Sequence, residues 1–227
     1  MTTTLAIECS TEACSVAFFA QDQLVAGDWR MLGRGHAEAL VPMIAALPGR
    51  GRATRIVVGL GPGSFTGIRI GLAAARALAL AWQVPVEGYP TLVLVAAMAR
   101  AARGAQPVLV VMTGGHGQWF TQGFGRDGFA EEGGATKSGA DAALASLSPA
   151  DAARRVQRLV AGSQAEALVT LRGSGEALPL WPDARKLALL PPRSISFDLT
   201  PLYGRPPDAK LPDRQNPSVQ PGKFTSV

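Results

Sequence analysis

The chain has 227 residues, of which 47% are hydrophobic and 17% are charged, and its formal net charge is +5. These values are typical of one large or two modest globular domains with enough apolar material for a core. The longest uninterrupted apolar run, at residues 92–99, is far shorter than the roughly 20 residues that cross a bilayer, so no membrane span is predicted. The polar start MTTTLAIECS does not resemble a secretion signal, which predicts a cytoplasmic protein.

The first hundred residues predict the element order β-β-β-α-β-α-β-α. The runs LAIEC, CSVAFFA and LVAGDWRM alternate with turns and predict an antiparallel meander of three strands. A helix is predicted at GHAEALVPMIAAL, in which Pro42 is expected to bend or shorten the first turn. TRIVVGL and VPVEGYP predict two further strands, each followed by a helix, the first within residues 59–82 and the second at TLVLVAAMARAA.

The second half predicts strands at residues 108–112, at QWFTQGF and at RLVAG, and helices at GADAALASL and QAEALVTL. GRDG predicts a hairpin turn after the second of these strands. The similar order of elements in the two halves suggests a duplicated fold. From Pro191 onward prolines and polar residues dominate, which predicts an extended or disordered end.

Metal-binding and redox motifs are absent from the sequence. Cys9 and Cys14 do not have the spacing of a redox or zinc motif, and two small buried side chains are the favoured interpretation. His36 and His116 are the two histidines, and they lack a zinc-binding spacing. The positive net charge is compatible with an acidic partner or RNA, but the arginines are scattered along the sequence, so direct nucleic-acid binding is a weak hypothesis.

A glycine-rich turn opens the longest predicted helix, in GLGPGSFTGIRIGLAAARALALAW. Free backbone N–H groups and the helix dipole at such a turn suit an anion. The turn has neither the lysine of a Walker A sequence nor the GxGxxG spacing, so a structural turn with Ser64 or Thr66 as the helix cap is favoured. Small residues recur three or four positions apart in the helix, at Gly67, Gly71 and Ala74, which predicts close packing. Periodicity leaves open whether the neighbour lies in this chain or in a partner.

Four segments in this order resemble the TsaB (YeaZ) family, which takes part in making threonylcarbamoyladenosine in tRNA. They are LAIECSTEACSVAFF, GHAEALVPMI, GLGPGSFTGIRIGLAAARALA and PLYGR. The resemblance implies an α/β fold of the ASKHA class, with two lobes related to actin, Hsp70 and sugar kinases, and with a reduced second lobe. It predicts a first lobe at residues 1–104, a smaller second lobe at 105–205 and an extended or disordered tail at 206–227.

The same resemblance implies a non-catalytic scaffold rather than an enzyme. Family members bind a TsaD-like transferase subunit, and through the complex they work with a TsaE-like ATPase and with tRNA. Pairing of two copies as a homodimer is left open, and no cofactor and no catalytic residue are expected. An ASKHA-type ATPase or phosphotransferase is the first alternative, while a metalloprotease and a direct RNA-binding module are weaker ones.

The resemblance also implies which residues form the site. In the family the helices at residues 36–47 and 66–82 form the partner-binding surface. The expected contacts are His36, Leu40, Met43, Leu47, Ser64, Phe65, Thr66, Gly67, Ile70, Gly71, Ala74 and Leu78. Glu8 stands where the family usually has an aspartate that helps to hold metal and phosphate. Glu8, Ser10 and Thr11 are therefore expected to form a vestigial phosphate loop, without metal.

Overall fold

The computed structural model describes residues 2–127 and 143–204. Two five-stranded mixed sheets form the framework of this part of the chain. The strands of the first sheet are β1 (Thr3–Glu8), β2 (Ala13–Ala20), β3 (Gln23–Met31), β4 (Arg55–Gly59) and β5 (Val86–Tyr89). Those of the second are β6 (Val108–Gly115), β7 (Gln118–Phe124), β8 (Ala145–Leu147), β9 (Leu159–Ala161) and β10 (Glu176–Leu178).

The two sheets have the same topology. In the first, the order is β3-β2-β1-β4-β5, with β1, β2 and β3 antiparallel and β4 and β5 parallel to β1. In the second, the order is β10-β9-β6-β7-β8, with β6 in the place of β1. The duplication that the element order suggested is therefore present in the fold, and the second copy has shorter outer strands.

Five α-helices cover these sheets in the described residues, together with short turns of 3-10 helix. They are α1 (His36–Ala45), α2 (Phe65–Trp82), α3 (Thr91–Arg103), α4 (Pro149–Ala152) and α5 (Ala165–Arg172). α1 and α2 pack side by side against the first sheet. α1 runs from His36 to Ala45 through Pro42 without a break.

α3 lies between the two sheets. Leu92, Val95 and Ala99 pack with Val108 and other side chains of the second sheet. Leu94 belongs instead to the cluster on the first sheet. Because one helix contributes to both cores, the two halves share a continuous apolar interior.

The helix predicted at GADAALASL is wrong over its last three residues. Residues 145–147 of GADAALASL form β8, which extends the sheet by pairing with Thr121, Phe120 and Trp119 of β7. The free edge of β7 supplies backbone partners that local propensity does not reveal. The short elements β10 and α4 were not predicted. Residues 139–142 of the predicted helix, and Gly128 of the predicted GRDG turn, lie outside the described residues.

The chain returns to the first sheet after β10. A 3-10 helix at Ala184–Leu189 packs on this sheet, and Ala184 N donates to Ser15 Oγ at 2.9 Å. Residues 195–204 then cross to the opposite side, and we call this segment the strap. The predicted lobe boundaries at residues 104 and 205 stay a proposal, and the predicted tail at 206–227 lies outside the described residues.

Candidate functional site

The glycine turn before α2 packs directly on the turn that joins β1 and β2. A Cβ atom at Gly63 would overlap the carbonyl oxygen of Ser10, and one at Gly67 would overlap that of Cys9. Ser64 N donates to Ser10 O at 2.6 Å, and Ser64 Oγ caps α2 by accepting from Gly67 N at 3.2 Å. These amides are used within the chain, so the geometry supports a structural turn. The glycines allow this close approach, because any side chain there would collide with backbone atoms.

The small-residue stripe of α2 faces the chain's own sheet. Besides Gly67, a Cβ atom at Gly71 would lie 3.5 Å from Cys9 Cβ, 3.6 Å from Val58 Cγ2 and 3.8 Å from Ile7 Cγ2. The interpretation of Gly67 and Gly71 as partner contacts is therefore wrong, since Gly67 is buried against the backbone of Cys9 and Gly71 against β1 and β4. Ala74, the third member, is half-buried.

The predicted contacts on α1 also lie in the core. His36, Leu40, Met43 and Leu47 are all buried within the chain, at 1–6% exposure. His36 Nε2 lies 2.8 Å from Thr11 O and 3.4 Å from Ala13 O, so it carries the proton and donates to these carbonyls. Their role is to fix α1 on the first sheet, and as partner contacts they were predicted wrongly. Helical periodicity marks a buried stripe but not what buries it.

The opposite sides of α1 and α2 form an apolar surface that nothing in the described chain covers. Of the predicted partner contacts, Phe65 and Thr66 are exposed, while Ile70 and Leu78 are half-buried. Val41 is 61% exposed and Leu80 is 83% exposed. We call this surface the α1–α2 face. Its central members are Ala37, Val41, Ala45, Ile70, Ala73, Ala77 and Leu80.

α2 is unusually apolar for a helix with so much free surface. Its mean hydropathy is 1.3, and only 33% of it is buried within the chain. By length and composition alone it could cross a membrane, a test that core helices of globular proteins also pass. Because α2 packs on the first sheet through Gly67 and Gly71, we interpret it as a helix of this fold. No other element of the described chain covers its outer side.

Glu8 is fully buried at the end of β1. Its carboxylate accepts from Ser10 N at 2.7 Å and from the Tyr89 hydroxyl at 3.0 Å, and Thr91 Oγ1 lies 3.1 Å away. A Cβ atom at Gly59 would overlap this carboxylate, so the glycine provides its space. Burial raises the pKa of the Glu8 carboxyl group, although the hydrogen bonds favour the charged form.

The cleft has a volume of about 1020 Å³ and lies between the β1–β2 turn, the starts of α1 and α2, and the β6–β7 hairpin. Ser10 and Thr11 line it, whereas Glu8 does not. Its acidic side chains are Glu12 and Glu38, and Glu12 Oε1 accepts from Trp181 Nε1 at 2.9 Å. Of the three residues expected in a vestigial phosphate loop, the structure thus places two at the cleft. Among residues 2–127 and 143–204 no group of three or more potential metal ligands comes together.

Cys9 and Cys14 face each other across the start of the first hairpin. Both are buried, and their Sγ atoms lie 3.5 Å apart as free thiols. The hydrogen bond to Cys14, together with burial, raises the pKa of the Cys9 thiol. Cys9 also touches α2, because its carbonyl oxygen lies against Gly67. Their surroundings are those of packed core side chains.

Sequence reasoning missed the exposed members of the α1–α2 face. Val41, Ala73, Ala77 and Leu80 were not among the predicted contacts, nor were Arg69 and the strap residue Tyr203. The available signal was the second apolar side of α2, which repeats with the same helical period as the buried side. Once Gly67 and Gly71 are assigned to the sheet, that side must face outward.

Comparisons with known proteins agree with this architecture. A family model described as TsaD, tRNA N6-adenosine threonylcarbamoyltransferase, matches residues 30–163. The tRNA threonylcarbamoyladenosine biosynthesis protein TsaB of Escherichia coli is 36% identical over 128 residues, which are 54% of this chain and 55% of that protein. The TsaB protein of Bacillus subtilis is 31% identical over 103 residues, 43% of this chain and 45% of that protein. The chain thus spans about half the length of the curated relatives it matches.

The structural comparison covers more of the chain. The structure of YeaZ from Pseudomonas aeruginosa superimposes with a TM-score of 0.67 at 25% sequence identity, over 89% of this chain and 100% of that one. A second structure, of an uncharacterized protein with similarity to peptidase YeaZ from the same organism, gives a TM-score of 0.64 at 26% identity, over 83% and 90% of the two chains. The fold is the two-lobed ASKHA fold. The chain belongs to the family that the TsaD model describes and, within it, to the TsaB (YeaZ) group.

Proposed function

We propose that this protein is a non-catalytic subunit of the complex that forms N6-threonylcarbamoyladenosine in tRNA, and that it binds a TsaD-like transferase subunit through the α1–α2 face. The observation that carries the proposal is the uncovered apolar side of α2, which ends in Leu80 at 83% exposure. The names of the related proteins supply the pathway. A TsaE-like ATPase and tRNA would join through the complex, in the cytoplasm.

The energetics favour a protein partner for this surface. Each square ångström of apolar surface removed from water contributes about 25 cal/mol, and contiguous exposed apolar patches mark interaction sites. Alanines on both helices let the backbone of a partner helix approach closely, while Val41 and Leu80 offer larger side chains for burial. A second copy of the chain could use the same face, so self-association would compete with the partner.

The surroundings of Glu8 support a non-catalytic role. A carboxylate that assists phosphate or metal chemistry must reach the ligand, and here it is enclosed by Tyr89, Thr91 and the backbone of Ser10. Rotation toward the cleft would break these bonds and leave buried donors without an acceptor. The chain therefore supports the partner that performs the transfer.

Binding to the TsaD-type subunit of the same genome tests this proposal. Ala77→Glu places a carboxylate in the middle of the α1–α2 face, where an apolar interface would bury it unpaired. We expect about a hundredfold loss of affinity or more. Ala167→Glu, the same change on the exposed side of α5, should leave affinity unchanged. No measurable association of the wild-type chain, or equal affinity of the two variants, would refute the role of this face.

An ASKHA-type ATPase or phosphotransferase is the alternative, and the cleft of about 1020 Å³ lined by Ser10 and Thr11 is the observation in its favour. We expect no ATP hydrolysis by the purified chain above background. Phosphate release that disappears in a Ser10→Ala variant of normal thermal stability would favour the enzyme.

A further inference from the structure

Arg69 stacks on the ring of Phe65 and lies beside the ring of Tyr203 at the edge of the α1–α2 face. Its Cζ lies 3.6 Å from the centre of the Phe65 ring and 5.9 Å from that of Tyr203. The two ring centres are 4.9 Å apart. Arg69 Nε donates to the Tyr203 hydroxyl at 3.2 Å. These contacts fix the direction of the guanidinium while Phe65 and Tyr203 stay 46% and 36% exposed.

The strap that carries Tyr203 is itself anchored at both ends. Ser196 forms two backbone hydrogen bonds with Gly88 of β5, and Leu202 N donates to Leu60 O at 2.9 Å. Leu202 also packs on the apolar side chains that lie between the first sheet and the helices α1 and α2. Beyond Tyr203, Gly204 lies so close to the Phe120 ring that a Cβ atom would overlap it. Tyr203 is therefore positioned by the fold, and its ring and hydroxyl are preset for Arg69.

Arg69 and Arg76 lack a carboxylate partner within the described part of the chain, where neither forms an ion pair. They are seven residues apart on the helix, so they lie on the same side, separated by about 10 Å along its axis. The sequence of α2 contains no acidic residue, and α1 contains one, Glu38. The free edge of the face is therefore positively charged.

We propose that the partner places carboxylates opposite Arg69 and Arg76, with Arg69 as the main anchor of the interface. The inference rests on the proposed function and adds the chemistry of the partner surface, which is an apolar strip with an acidic edge. An arginine already stacked on rings loses little side-chain freedom when it pairs, and its planar fork suits a carboxylate. Tyrosine and arginine are also the residue types that most often dominate interface affinity.

A protein carboxylate fits this surface better than an RNA phosphate does. The two arginines border Ala73, Ala77 and Leu80, whose burial is favourable only against another apolar surface. An RNA-binding surface would instead carry a denser set of basic side chains along the path of the backbone.

The first test compares affinities for the TsaD-type subunit. We expect Arg69→Gln to weaken binding about tenfold or more and to reduce the dependence of affinity on salt. Tyr203→Phe, which keeps the ring and removes the hydroxyl, should weaken it only a few-fold. Arg158→Gln, an exposed arginine of the second lobe, is the matched control and should have no effect.

The second test identifies the carboxylates directly. Arg69→Lys introduces an amine that a zero-length carbodiimide joins to a touching carboxylate, and mass spectrometry should find this amide with a partner Asp or Glu. Arg158→Lys should give no such product. Wild-type affinity in Arg69→Gln, or loss of tRNA binding with unchanged partner affinity, overturns this inference and leaves the proposed function standing. Failure of the wild-type chain to bind the subunit overturns both.

Discussion

Adding one methyl group at Gly67 or at Gly71 should have opposite effects on stability. At Gly67 the methyl group would overlap the carbonyl oxygen of Cys9, which belongs to the backbone and cannot rotate away. Such overpacking costs about 1–3 kcal/mol, and overlap with a backbone atom should place this site at about 2–3 kcal/mol, of which the higher helix propensity of alanine offsets about 1 kcal/mol. At Gly71 the methyl group would lie 3.5–3.8 Å from its neighbours, which is ordinary van der Waals contact, so the propensity gain should remain.

Chemical and thermal unfolding of the two variants measure this difference. We expect Gly67→Ala to lower the free energy of unfolding by about 1–2 kcal/mol and Gly71→Ala to leave it unchanged or raise it by up to about 1 kcal/mol. The two variants should then differ by about 1–3 kcal/mol, which for a chain of this size is a difference of about 2–12 °C in melting temperature. Equal effects, or a larger loss at Gly71, would refute the close approach of α2 to Cys9.

Three further predictions concern the buried groups around β1. The folded-state pKa of Glu8 is raised, so the stability that its protonated form contributes is present below the unfolded-state pKa of about 4.3 and is lost as pH rises through the folded-state pKa. The unfolding free energy of the wild type minus that of Glu8→Gln should therefore fall as the pH rises from about 4 to about 7. A difference that stays flat or rises in denaturant titrations over this pH range would contradict the prediction. Gly59→Ala should destabilise the chain because its methyl group meets the Glu8 carboxylate, and less so in a Glu8→Asp background, whose shorter side chain withdraws; additive effects in the double-mutant cycle would argue against this contact. Cys9 and Cys14 should react with an aromatic disulfide reagent only after unfolding, and rapid labelling of the native chain would show that they are accessible.

The elements with strong periodicity could be predicted from the sequence. α2 and α3 and the strands from β1 to β7 are long enough, or bounded clearly enough, for local patterns to indicate them. β8 and β10 have three residues each and exist because a neighbouring strand offers a free edge. Local sequence patterns do not show which strand lies next to a segment in the fold. The residues of β8 were therefore predicted to be helical, and β10 was not predicted.

The sequence indicated the two helices of the candidate site but not which side of each helix is exposed. The stripe of Gly67 and Gly71 correctly indicated a close approach, yet it did not reveal that the approaching group is the backbone of Cys9 in the same chain. The outward direction of Leu80 follows only after the buried side is known. Arg69 and Tyr203 are 134 residues apart, and their contact depends on the path of the strap, which no local pattern encodes.

The content of threonylcarbamoyladenosine in cellular tRNA tests the central claim most directly. In the organism that encodes this chain, its own copy would be depleted and replaced by the wild type, Ala77→Glu or Ala167→Glu, and the modified nucleoside would be measured by mass spectrometry of digested tRNA. We predict that depletion lowers the nucleoside, that the wild type and Ala167→Glu restore it, and that Ala77→Glu does not. A normal nucleoside content after depletion, or full restoration by Ala77→Glu, would contradict the account.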